Sequence, residues 1–241
     1  MNALVVLIAA PLASFGEEPG NARRSSADRP TRSALIGLAG AAIGVEREDA
    51  EGQRALAASF LTATRTLSPG APLADFHTFQ SLPESKGPVA TRADALARRA
   101  DLETSITRRD YRSDGRWQVA YISRDDGAPV SLEALRRAFL RPRFALWVGR
   151  KSCPLAHPLA PTLVESETIE KAFAAHAVAA KLNVGCGATM IALDARLAHP
   201  AAANHARRHR RLDEPGDRAR WHFFARQEIV FRMAASTEAT R

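Results

Sequence analysis

Lysine is almost missing from this 241-residue chain: of 34 cationic side chains only Lys86, Lys151, Lys171 and Lys181 are lysines, and the rest are arginine. A planar guanidinium forms paired hydrogen bonds to phosphate and stacks on bases, so the skew suits a nucleic-acid partner, although a compositional bias in an alanine-rich chain produces the same skew. Cysteine is scarcer still. Cys153 and Cys186 are too few for a disulfide framework or a thiolate metal site, which excludes the small stapled secreted classes, suits a reducing cytoplasm and leaves no cofactor to predict. No apolar run reaches the ~18 residues that a membrane span requires. The opening Met1 to Ala10 has no cationic n-region and is met by Pro11, so it reads as a buried first strand instead of a signal peptide. What the chain does have is a net charge of +8, the balance of proteins that meet nucleic acid or an acidic membrane surface. Its 46% hydrophobic content is ample for one large domain or two small ones.

Leu4 to Ile8 is a continuously apolar, β-branched run and predicts a central strand. A polar loop from Ser14 to Arg32 follows, with Arg23, Arg24, Arg29 and Arg32 set against Glu17, Glu18 and Asp28. Pro30-Thr31-Arg32-Ser33 signals a helix start, and Ala34 to Gly44 continues as a helix whose glycines imply close packing. Arg47 to Ser59 predicts further helix, and Phe60 to Leu67 a strand closed by the turn Ser68-Pro69-Gly70. Trp117 to Ile122, Leu132 to Leu140 and Phe144 to Val148 then read as strand, helix and strand. That βαββαβ order predicts an α+β, ferredoxin-like body, the RRM-like architecture that commonly serves RNA-binding modules.

Between the second and third strands lies a stretch far too long for a hairpin loop, so a functional insertion is expected there. Arg92, Arg98, Arg99, Arg108, Arg109, Arg112 and Arg116 make it basic, and a projecting arm of this kind can grip a polymer. After Pro154, Ser166 to Leu182 predicts a helix, Thr189 to Asp194 and Phe223 to Arg232 predict strands, and Pro200 to Arg220 reads as an arginine-rich loop. The expected division is a body over 1–150 with a thumb at about 76–115, and a smaller C-terminal β-rich portion over 151–241.

The motif of most interest is Gly149-Arg150-Lys151-Ser152-Cys153-Pro154, where a glycine lets the backbone approach a ligand and two cations suit a phosphate. Arg32 and Ser33 sit at a helix start, where free N–H groups favour an anion. Thr107-Arg108-Arg109-Asp110-Tyr111 combines cations with an aromatic, the pairing that single-stranded nucleic acid favours, or else forms a solvated turn. Asp75-Phe76-His77-Thr78 places a histidine beside a carboxylate. His77 can serve as a general base for metal-free RNA cleavage with Tyr111 and Lys151, or can simply bind a base or hold the arm. His205 and His209 have a metal-compatible spacing but cationic neighbours, so no metal site is expected. Gly37-Leu38-Ala39-Gly40 matches a GXXG RNA clamp only superficially, because it lies inside an apolar helix.

In order along the chain, Pro11 to Gly16, Pro30 to Ser33 with Gly37 to Gly44 and Arg47, Asp75 to Thr78, Thr107 to Tyr111 with Asp114, and Gly149 to Leu155 with Pro158 resemble the CasD family. That family binds the 5′ handle of CRISPR RNA in the type I-E Cascade complex. The resemblance implies a body of the repeat-associated RNA-binding type and a non-catalytic subunit that caps the handle in antiviral defence. Its implied partners are the backbone and large subunits, target DNA near the seed end through the assembled complex, and no membrane. The alternative it leaves open is a metal-independent endoribonuclease acting on CRISPR precursor RNA, as in type I-C relatives. The RNA contacts it suggests are Arg23, Arg24, Arg32, Ser33, His77, Thr78, Thr107, Arg108, Arg109, Tyr111, Arg150, Lys151 and Ser152. The acidic Glu17-Glu18-Pro19 loop and Leu212 to Asp217 depart from the family pattern.

Overall fold

The computed structural model describes residues 1–16, 23–125, 127–185, 189–197, 206–217, 220 and 222–233. Its first strand, β1 (Asn2–Ala13), turns Leu4, Val6, Ile8 and Ala10 into one hydrophobic core and Ala3 and Val5 into another. A strand buried on both faces needs no polar residue, which is why its sequence is an unbroken apolar run. On one edge β1 pairs with β5 (Glu103–Ser123) and on the other with β6 (Thr162–Glu165), both antiparallel. Beyond β5 come β3 (Phe60–Ser68), β7 (Thr189–Asp194), β9 (Phe223–Met233) and β8 (Arg207–Pro215), giving the path β6-β1-β5-β3-β7-β9-β8.

Helices cover both faces of this antiparallel sheet. The helices α1 (Arg32–Ile43), α2 (Ala50–Ser59) and α4 (Leu132–Leu140) share a core with Trp117, Val119 and Tyr121. On the other face α5 (Ile169–Ala179) packs Ile169, Ala172 and Phe173 against Ala120, Ile122 and Ile191. The chain is therefore a mixed α/β protein with one large antiparallel sheet, and that sheet runs without interruption across residue 150.

The remaining strands build the arm. β4 (Ala71–Ser81) pairs with the N-terminal half of β5, from Ala71 opposite Ser113 to Ser81 opposite Glu103, and the short β2 (Arg23–Arg24) lies parallel to β5. At ~3.4 Å per residue those eleven pairs reach about 35 Å. A short helix, α3 (Arg92–Ala97), and two 3₁₀ turns cap the tip. The predicted insertion is thus a long hairpin that starts at Ala71 instead of 76 and shares β5 with the body. Where arm meets sheet, Gly70 adopts φ +68°, and an added Cβ would lie 2.4 Å from the Ser113 carbonyl oxygen. Only glycine passes that bend.

Two predicted elements differ. Phe144 to Val148 is not a strand; it makes a single bridge, Trp147 with Pro154, and β6 takes the place beside β1. Its backbone groups are used elsewhere: Arg143 N and Phe144 N donate to the Ala42 and Ala41 carbonyls at the end of α1, and Ser14 N donates to the Val148 carbonyl. Those carbonyls are among the four that a helix C-terminus leaves without partners. The second difference lies in the predicted arginine-rich loop, where residues 207–215 form β8, an edge strand whose first half is exposed on both faces. A strand wet on both sides carries no apolar period to reveal it.

A buried ionic network ties β8 and β9 to the start of α1. The Arg32 side chain is fully buried; its Nε donates to both Glu214 oxygens at 3.0 Å, Nη1 to the Phe60 carbonyl at 2.9 Å and Nη2 to the Ala57 carbonyl at 2.8 Å. Its backbone N donates to Asp213 at 2.8 Å, and Asp213 also receives Arg226 Nε at 2.7 Å. Glu228 receives Arg29 at 2.5 Å and Arg226 at 3.1 Å, while Arg196 joins Asp194 to Glu214. Burial pushes the Asp194 carboxyl up, but hydrogen bonds and charge from Arg196 outweigh that and hold it below the usual carboxylate range.

Candidate nucleic-acid interface

A groove of 1430 Å³ runs along the outward face of α1. Its floor is Ser33, Ala34, Gly37, Leu38 and Ala41, recurring at helical spacing, so small side chains keep the floor low. One wall is Phe144, Trp147, Gly149 and Arg150; the other is Leu212, His222, Phe223 and Phe224; Arg24 and Ser25 close one rim.

The Gly149 turn is locked into the first wall. Gly149 adopts φ +92°, and a Cβ there would lie 1.8 Å from the Ser14 carbonyl oxygen, so the backbone passes against the end of β1 only as glycine. Val148 N donates to the Cys153 carbonyl at 2.7 Å, and Cys153, fully buried, anchors the turn. The turn aims Arg150 inward, with its guanidinium carbon 4.7 Å from the centroid of the Tyr111 ring. Lys151 lies over the ring of Trp147 at 5.7 Å and is exposed, as is Ser152.

The arm continues the first wall. Cross-strand partners share a face, so His77 with Thr107, Asp75 with Arg109, and Leu73 with Tyr111 form one row along the hairpin. His77 Nε2, Thr107 Oγ1, Arg109 Nε and Arg150 Nη1 are shielded polar atoms with no hydrogen-bond partner among the described residues. His77 Nε2 does lie 2.5 Å from Asp75, close enough for an ion pair but without hydrogen-bond alignment. Arg109 Nε and Arg150 Nη1 can only donate, and an unpaired, shielded donor costs about 1–3 kcal/mol, so the two are a standing demand for acceptors, while Thr107 Oγ1 can donate or accept. The opposite face of the arm differs. There Arg108 lies 4.6 Å over the Phe76 ring, beside Thr78, with Phe76 and Ile106 exposed.

The predicted residues therefore divide. Arg24, Ser33 and Arg150 line the groove, and His77, Thr107, Arg109 and Tyr111 form the row that leads from it, although Tyr111 is itself buried beneath Arg150. Arg23 lies beside them but is bound to Asp110 at 2.8 Å. Arg108 and Thr78 are on the other arm face. Arg32 is a correction: it is sealed inside the ionic network, and the anion at the α1 N-terminus is the chain's own Asp213. The spacing of the cleavage trio is also unfavourable. Tyr111 and the cross-strand partner of His77, Thr107, are four residues apart on β5, about 13 Å along the backbone, and Tyr111 is buried with the Arg150 guanidinium over its ring.

Sequence reasoning missed the second wall. Phe223-Phe224 opens a predicted strand, and two adjacent phenylalanines on a half-buried strand leave one outside; Phe224 is 63% exposed. His205 lies outside the described residues, as do Glu17, Glu18 and Cys186, and among the described residues no cluster of three metal-ligating side chains occurs. No helix of the described residues is long and apolar enough to cross a membrane.

Comparison with known proteins follows the same lines. The family model described as CRISPR-associated protein (Cas_Cas5) matches residues 3–228. The chain is 31% identical over 166 residues to the CRISPR system Cascade subunit CasD of Escherichia coli (strain K12), covering 65% of this chain and 68% of that protein. Among solved structures, a chain of a CRISPR RNA-guided surveillance complex superposes with a TM-score of 0.63 at 20% identity, covering 98% of this chain and 92% of that one. A crystal structure of a Cas protein gives 0.61 at 23% identity, covering 98% and 96%. Both share the fold.

Proposed function

The chain belongs to the CRISPR-associated Cas5 family, and on that premise we propose that it is a non-catalytic RNA-binding subunit of a cytoplasmic, type I-E Cascade complex, seating the 5′ handle of the guide RNA and joining it to the backbone and large subunits. The observation that carries this reading is the arm-face row His77, Thr107 and Arg109, which with Arg150 of the adjoining turn holds shielded polar atoms without a hydrogen-bond partner among the described residues and leads into a groove with aromatic walls. Guide pairing carries the target sequence, so the protein's task is to hold backbone and a few splayed bases. In this reading Arg24 and Arg150 take phosphates, and Phe144, Trp147 and Phe224 offer faces for unstacked bases at about 1–3 kcal/mol each. The β6-β1-β5-β3 order, with α1 and α4 in the crossovers, supports a ferredoxin-like reading of the body.

Cleavage is disfavoured by the burial of Tyr111 beneath the Arg150 guanidinium. The test is co-purification of the assembled complex carrying Arg109→Glu and Arg150→Glu, with labelled repeat RNA incubated in EDTA alongside. The expected result is loss of the guide's 5′ end from the complex and no cut in the RNA. A fully loaded double variant, or a site-specific cut lost in His77→Ala, overturns the reading.

A further inference from the structure

The arginine-rich stretch 207–210 has no part in the groove or the arm row. Within β8 the charges fall into two halves. Arg211, Asp213 and Glu214 belong to the buried network, with Arg211 within 3.8 Å of Asp213 and 3.7 Å of Glu228. Arg207, Arg208 and Arg210 are exposed and, among the described residues, make no ion pair. Arg232 adds a fourth: it is exposed on β9, on the same sheet face as Arg207, whose partner there is Val230. Among the described residues β8 pairs with β9 alone, so its outer edge is free.

An exposed edge turns every second N–H outward, and cations there commonly guard against pairing with another chain. A guard needs only a charge or two. Four unmatched guanidiniums exceed that and set up a positive rail: Arg208 and Arg210 project from one sheet face about 6.8 Å apart, Arg207 and Arg232 from the other, and the outward N–H groups lie between. That arrangement suits a regular line of phosphate oxygens. From Arg207 to Arg211 the single aromatic ring is the His209 imidazole, set beside three exposed arginines, so this edge offers more partners to backbone phosphates than to unstacked bases. It lies four strands from β5, about 19 Å across the sheet, and the register sets Arg207 level with Val119, ten residues along β5 from Arg109 of the arm row.

We infer that the free edge of β8 is a second, sequence-independent site for the sugar-phosphate backbone of a nucleic-acid duplex. The duplex tracks Arg207, Arg208 and Arg210 and runs toward Leu212, which already lines the groove wall. Only the naming of that duplex as target DNA rests on the proposed function; the binding chemistry does not.

The test measures binding of the purified full chain to a labelled random-sequence DNA duplex and to single-stranded repeat RNA across a salt series. For the triple variant Arg207→Ala, Arg208→Ala, Arg210→Ala, the slope of log affinity against log salt for duplex is expected to shrink by about 2.7, at roughly 0.9 for each phosphate left without its arginine. The loss of duplex affinity between 50 and 200 mM salt then becomes about 40-fold smaller, while repeat-RNA binding is unchanged. The triple lysine variant keeps the slope, which controls for folding. An unchanged duplex slope overturns the inference, as does a parallel loss for RNA and duplex, no duplex binding by the parent chain, or loss of a protein partner from the complex with the duplex slope intact. Failure of the handle reading shows instead in the Arg109 and Arg150 variants, which leave this edge untouched.

Discussion

Arg32 offers the sharpest separation of structural from RNA-binding arginines. Replacing it with Met keeps much of the volume but removes four side-chain hydrogen bonds, two to Glu214 and one each to the Phe60 and Ala57 carbonyls, while the backbone N–H still donates to Asp213. Burial lowers the Arg32 pKa and Glu214 works against that, so the group stays charged and its removal leaves Glu214 with Arg196 as its remaining cation. Breaking one side of a buried pair costs about 3–5 kcal/mol. For a chain of this size that is a fall in Tm of roughly 6–20 °C. The assay is thermal unfolding with repeat-RNA titration at a temperature where both forms remain folded. The expected result is a large loss of stability with RNA affinity and salt slope unchanged. A variant of normal stability whose RNA affinity drops would refute the placement of Arg32 inside the network.

Three further outcomes follow from other parts of the structure. His176 is buried, with Nδ1 accepting from Gln118 Nε2 at 2.9 Å and Nε2 donating to the Ala160 carbonyl at 3.0 Å, and burial lowers its pKa. The unfolded chain then binds a proton that the folded chain refuses, so stability falls as pH drops below about 6.5, and His176→Gln flattens that slope in denaturant titrations at pH 5 to 8. Asp194 has the opposite origin but the same direction at lower pH: its depressed value means stability present above about 3.9 is lost as pH falls through the folded value, and Asp194→Asn removes that acid limb. Gly149→Ala forces a Cβ onto the Ser14 carbonyl, so it lowers Tm and repeat-RNA affinity together, whereas Lys151→Ala, on the exposed side of the turn, leaves Tm within about 1 °C.

Much of the fold was legible because its elements carry strong periods or end signals. Leu132–Leu140 and Thr189–Asp194 appear where apolar spacing places them, and Thr31 caps α1 as the Pro30 to Ser33 signal implies. The failures are physical. Phe144 to Val148 has a strand's composition, but its N–H groups are drawn to the end of α1, a tertiary demand that no local pattern records. The β8 strand has a loop's composition because neither of its faces is buried along Arg207 to Arg210. At the site, Arg109, Tyr111 and Arg150 were legible as residue types. Their convergence depends on the register of β4 and β5, and the second groove wall depends on a hairpin more than sixty residues later. Arg32 misled because a helix start reads the same whether its anion is a ligand or, as here, Asp213.

The most direct measurement is a photocrosslinking map of guide RNA on this chain in the assembled complex, using 4-thiouridine at each handle position. The account predicts crosslinks from the 5′ handle to the groove and arm row, at peptides containing Trp147, Arg109 to Tyr111 and Phe224. Crosslinks confined to the α5 face of the sheet, or handle positions that crosslink only to other subunits, would contradict it.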